Sequence, residues 1–168
     1  MTAMKEIAIV AFSQSDCLAR AGAANEVELI MPQLRAVFDQ VGLNNAQDVD
    51  FVCSGSCDYM QGAAFAFVAG VDALGAVPPI KESHVEMDAA WALYECILKI
   101  RMGQAESALI YGFGKASSGE LPTVLSQQLD PYYLAPLWVD TVSLAAMQAR
   151  LLIEKGLASE RAMAGVVV

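Results

Sequence analysis

Residues 83–94 read Ser83-His84-Val85-Glu86-Met87-Asp88-Ala89-Ala90-Trp91-Ala92-Leu93-Tyr94, and their periodicity changes midway. His84 and Glu86 are two apart, the spacing of side chains on one face of a strand, and Glu82 joins them there. From Asp88 the apolar residues Trp91, Leu93, Tyr94, Ile97, Leu98 and Ile100 supply the buried side of a helix, which Gly103 ends. A second apolar run, 108–113, reads as another strand.

Working outward, 7–13 is a short apolar run that predicts a buried strand. Residues 25–42 follow helical spacing, with Asn25 to cap the start and Gly42 the end; Pro32 predicts a kink or a shifted start. A second strand is expected at 49–53, ended by Ser54-Gly55-Ser56, then a helix over 61–74 that is apolar all round. Pro78-Pro79 forces an extended entry to a strand at 80–85. About 117–138 has no period and reads as a loop excursion. A helix at 142–154 and a last strand at 164–168 complete the chain. Strand and helix alternate throughout, which predicts an α/β domain with a mostly parallel sheet and helices on both faces. No repeat or linker interrupts it, so 1–168 reads as one domain.

Composition narrows the function. The chain is 56% hydrophobic and 17% charged, which argues against disorder and for buried strands or a large interface. A net charge of −9 argues against a nucleic-acid partner, since phosphate binding needs clustered Lys and Arg. The longest apolar stretch, 59–71, is shorter than the roughly 20 residues of a membrane span. No signal-peptide pattern opens the chain, and a cytoplasmic location is expected. Cys17, Cys53, Cys57 and Cys96 have neither zinc nor redox-pair spacing, so no metal is expected; they read as reduced thiols.

The candidate chemistry lies at 84–88. A helix N-terminus favours a carboxylate at Glu86, whereas burial against Trp91 would raise its pKa and make it an acid or base. An ordinary capping role stays open beside these. His84, the sole histidine, has Glu82, Glu86 and Asp88 near it in sequence; with Glu82 and Glu86 on its strand face it could bind a cation or orient a proton relay, or be a hydrogen-bonded strand residue. Cys96 lies well inside the helix and gains little activation there. Gly112-Phe113-Gly114-Lys115 lacks P-loop spacing. The aromatic segment with Tyr132, Tyr133 and Trp138 could line an acyl tunnel or meet a partner subunit.

Residues 83–94, the helix after them and Ser107-Ala108-Leu109-Ile110-Tyr111-Gly112-Phe113-Gly114-Lys115-Ala116-Ser117 resemble the centre of the N-terminal half of a thiolase. The likeness is to the sterol-carrier-protein-x or lipid-transfer-protein type. There a strand ends in Cys-x-x-Gly, a helix follows, and a second strand ends in Gly-Phe-Glu-Lys-Met-Ser. Laid without gaps, the cysteine position falls on Glu86 and the glycine position on Ala89. The resemblance implies a thiolase-like layered fold whose C-terminal half is absent, and action on the carbon–carbon bond beta to a CoA thioester of a lipid or steroid side chain. Without the thiol it implies a retro-aldol route with Glu86, His84 and Asp88 as catalytic groups. Tyr132, Tyr133, Trp138 and Lys115 would bind substrate, and coenzyme A enters only as part of that substrate. A homodimer joined near 80–85, and a zinc-ribbon/OB-fold accessory protein, follow from the resemblance too. The alternative is a non-catalytic subunit or acyl-CoA carrier.

Overall fold

The computed structural model describes residues 6–17, 22, 24–61, 65–75, 81–116 and 119–166. The chain divides into two compact units, Met1–Gly119 and Glu120–Val168.

The first unit is α/β. Its elements are α1 (Glu26–Val41), a 3-10 turn (Ala46–Asp48), β1 (Phe51–Ser56), α2 (Asp58–Gln61), α3 (Phe67–Ala73), β2 (Glu82–Glu86), α4 (Ala89–Arg101) and β3 (Ala108–Gly112). Three parallel strands are ordered β2-β1-β3, so β1 is central and wholly buried. Parallel strands need a crossover; α2 and α3 make the first, α4 the second.

Strand alternation sends the side chains of β1 into two separate cores. Val52 joins Leu109 and Tyr111 against Ile30, Leu34 and Phe38 of α1 and Leu74 after α3. Phe51 and Cys53 meet Ala92 and Cys96 of α4 on the other face. Burial of each large apolar side chain contributes about 1.5–3 kcal/mol relative to exposure.

Local chemistry sets the helix ends. The Asn25 side chain accepts the Glu28 N–H and the Glu28 carboxylate accepts the Asn25 N–H, each at 2.8 Å, a reciprocal cap that starts α1. Gly42 closes it at φ 71°. Neither effect expected of Pro32 stops the helix: α1 runs through it, with Ile30, Leu34 and Phe38 buried on both sides. Asp50 ties the start of β1 to that of β3, accepting the N–H groups of Glu106 at 2.8 Å and Ser107 at 3.1 Å. Those bonds, Glu106 first, hold its carboxyl below the usual range. A lowered folded-state pKa gives stability that is present above the unfolded value, about 4, and is lost as pH falls through the folded value. Thermal melts between about pH 2 and 6 should show this acid loss, and Asp50→Asn should flatten it.

Several expectations are corrected. Residues 7–13 form no strand. Ile9 and Phe12 are exposed, and the Phe12 backbone is tethered to the Gln40 side chain. An apolar run signals burial without naming the surface that provides it. The expected helix over 61–74 is two: Phe65 at φ 59° breaks it, and the Asp58 carboxylate accepts the Phe65 and Ala66 N–H groups at 2.5 and 3.1 Å to set the chain for α3. Residues 62–64 and 76–80 lie outside the described residues, the Pro pair and Ile80 among them.

In the second unit the excursion is partly helical. It holds α5 (Leu121–Gln127) and a 3-10 turn (Ala135–Leu137); α6 (Thr141–Glu154) and α7 (Glu160–Ala164) follow. Of the strand expected at 164–168, the described residues 164–166 form none. The Ser159 hydroxyl caps α7 by accepting the Ala162 N–H at 3.1 Å, helix continues through Ala164, and 167–168 lie outside the described residues. Among its described residues only Ser126 is buried.

Candidate functional site

In open parallel sheets, ligands bind beyond the carboxyl ends of the strands. Here those ends frame an open cleft of about 370 Å³. Gly55 and Cys57 of the β1 end, Met87 and Asp88 after β2, and Gly112 and Phe113 of the β3 end line it. The N-terminus of α4 points in through Ala89.

Two glycines let the helix come so close. A Cβ on Gly112 would lie 2.5 Å from the Ala89 Cβ, and one on Gly55 would overlap the Asp88 carbonyl and sit 2.8 Å from the Ala89 nitrogen. The backbone of α4 therefore rests directly on the strands, and its positive dipole end is held at the cleft.

On the opposite face of the sheet the parallel register sets Ser54 beside His84 and Ser56 beside Glu86. Ser54 Oγ and His84 Nδ1 are 2.8 Å apart. His84 Nε2 and Glu86 Oε2 are 3.5 Å apart, the outer limit for a hydrogen bond and chiefly an electrostatic contact. Glu86 Oε1 accepts the Asp58 N–H at 2.7 Å. An ionised carboxylate only accepts, so in the tautomer that carries its proton on Nε2 toward Glu86 the Ser54 hydroxyl donates to Nδ1. Phe67 stacks on the imidazole at 4.5 Å and 18° and fixes the ring plane.

Serine, histidine and carboxylate in sequence suggest a nucleophilic triad, but Ser54 is 1% exposed. Its hydroxyl orients the ring and does not meet a substrate. Glu86, with 47% of its side chain exposed, is the member that faces solvent. Tyr111 stands beside this relay, its phenol pushed up to about 12 by burial and partly offset by Ser54. Ser56 Oγ is buried without a hydrogen-bond partner.

Of the expected catalytic residues, Glu86 and His84 are brought together. Glu86 ends β2 and holds the start of α2 rather than that of α4. Asp88 lines the cleft, but its carboxylate caps α4, accepting the Ala90 and Trp91 N–H groups at 2.9 and 3.2 Å. The Lys115 ammonium donates to the Ala24 carbonyl. Tyr132, Tyr133 and Trp138 are exposed residues of the second unit. Cys53 and Cys96 are buried against each other. Their mutual hydrogen bond lowers the Cys53 thiol pKa and raises that of Cys96, which burial raises further.

Sequence reasoning missed Ser54, Phe67 and Asp58. Ser54 was placed in a turn, whereas β1 runs on to Ser56; a Ser-Gly-Ser segment carries little strand signal, and only the register pairs it with His84. Among the described residues no group of three or more His, Cys, Asp or Glu could hold a metal, and no helix is long and apolar enough to cross a membrane. In comparisons with known proteins, no family model matches the chain, and neither a curated protein nor a solved structure matches it.

Proposed function

We propose that this is a thiolase-like acyl-CoA protein that cleaves the carbon–carbon bond beta to a CoA thioester, in lipid or steroid side-chain degradation, by a retro-aldol route. The observation that carries this reading is the Glu86 carboxylate, solvent-facing yet fixed by the Asp58 N–H and the Ser54–His84 relay, directly before the cleft residues Met87 and Asp88. A carboxylate is a poor nucleophile toward a thioester, because the mixed anhydride gains little over it. As a general base it has a use. It removes the proton of a β-hydroxyl, the Cα–Cβ bond breaks, and a ketone or aldehyde leaves. The electron pair passes to the thioester as an enolate, which a proton then quenches. The mostly apolar cleft suits an acyl chain.

A second reading, a non-catalytic subunit or carrier, is favoured by the extent of exposed apolar surface, from Trp91 and Tyr94 to Tyr132 and Trp138. Under either reading a homodimer, an accessory zinc-ribbon/OB-fold protein and a cytoplasmic location belong to the proposal. The open edge of β2 offers one contact.

The test is to purify the protein with whatever accompanies it and supply β-hydroxyacyl-CoA thioesters of fatty and steroid acids. Release of a carbonyl product with a shortened acyl-CoA, followed by mass spectrometry, is the expected result. Binding without cleavage would leave the carrier reading.

A further inference from the structure

A single polar rung crosses all three strands. Ser54 of β1 is the register partner of His84 in β2 and of Tyr111 in β3. Neighbouring strands lie about 4.8 Å apart, and partners in register share a face, so the three side chains stand in a row. Helix α3 covers that row. Phe67 stacks on the imidazole. Three residues on, Gly70 lies against the phenol, where a Cβ would sit 2.7 Å from the Tyr111 oxygen. The helix thus presents a glycine to the phenol and no polar side chain.

Tyr111 is 8% exposed, and its hydroxyl has no hydrogen-bond partner among the described residues. A buried hydroxyl left so is uncommon. Ser54 is the polar group that faces it, and Ser54 offsets part of the rise that burial imposes on the phenol. A serine hydroxyl has one hydrogen and two lone pairs. With the hydrogen given to His84 Nδ1 at 2.8 Å, the lone pairs stay open to a donor.

We infer that Tyr111 heads a one-way donor chain, phenol to Ser54 hydroxyl to His84 Nδ1, which holds His84 in the tautomer whose Nε2–H faces Glu86. Each link polarises the next. The reverse chain would take Ser54 away as the acceptor for the phenol hydrogen. It would also set an Nε2 lone pair against the Glu86 carboxylate. In the forward chain both Glu86 oxygens are held, Oε1 by the Asp58 N–H at 2.7 Å and Oε2 by its contact with Nε2–H. Tyr111 is therefore a positioning residue for Glu86, acting through Ser54 and His84. Its part in turnover rests on the reaction proposed for Glu86; the chain itself does not.

His84 is the only histidine, so the isotope-labelled full chain gives one imidazole signature in long-range proton–nitrogen NMR spectra. At about pH 8, where an ordinary imidazole is neutral, the ring should be protonated on Nε2. Tyr111→Phe should move the Nδ1 resonance toward its position in Ser54→Ala, although β1 lies between the two rings. Tyr94→Phe, at an exposed tyrosine, should leave it in place. In urea, Tyr111→Phe should raise the unfolding constant about threefold or more, and should not raise it in the Ser54→Ala background, where the acceptor is already gone. A ring protonated on Nδ1, an Nδ1 resonance unmoved by Tyr111→Phe, or equal effects of Tyr111→Phe in both backgrounds overturns the chain. If these couplings hold and no β-hydroxyacyl-CoA is cleaved, the chain stands and the proposed reaction falls.

Discussion

Gly55→Ala should be among the most damaging single substitutions in the first unit. The added methyl would overlap the Asp88 carbonyl and press on the Ala89 nitrogen, and both are backbone. No rotamer relieves a clash with backbone, so α4 must lift from the sheet. Overpacking costs about 1–3 kcal/mol even where side chains can adjust. The upper end is expected here, from a total stability of only about 5–15 kcal/mol. That predicts a fall in melting temperature of roughly 10 °C or more, by the scaling for domains of about 100 residues. Gly112→Ala, which meets the Ala89 side chain, should behave similarly. Gly114→Ala, with nothing within 4 Å, is the control and should melt with the wild type. A Gly55→Ala protein that melts with the control would mean that the helix does not rest on the strand as described.

Under the proposed retro-aldol reaction, Glu86→Gln should abolish most turnover while leaving the fold in place. The amide keeps an oxygen for the Asp58 N–H and keeps the volume, but it cannot take a proton. Loss of a general base costs about 10²–10⁴-fold in rate. Calorimetric acyl-CoA affinity should change little, because the thioester does not depend on this carboxylate for binding. His84→Ala is expected to be less clean. It strands the buried Ser54 hydroxyl, at about 1–3 kcal/mol, so a rate loss there mixes chemistry with stability. Full turnover by Glu86→Gln would remove Glu86 from the reaction.

The central strand–helix–strand was legible because each piece carried its own local signal. Asp88 and Gly103 bounded α4, and period-2 spacing put Glu82, His84 and Glu86 on one face of the strand expected at 80–85 and found at Glu82–Glu86. Asn25 and Gly42 did the same for α1. What stayed hidden depends on partners far away in sequence. Ser54 and His84 are thirty residues apart, and nothing local sets the β2-β1-β3 order that joins them. The break at Phe65 rests on a carboxylate seven residues earlier, at a residue type that seldom adopts positive φ. Both terminal strands were read from apolarity alone. Among the described residues no strand pairs with 7–13, and at the other end the chain is helical from Glu160 to Ala164 behind the Ser159 cap.

The two cores place a consequence on the timing of folding. Every residue in them, from Ile30 to Tyr111, precedes Gly119, and so do all three strands. A nascent chain that has emerged only this far already holds the residues of both cores. The first unit can therefore close on the ribosome while α5, α6 and α7 are still being synthesised.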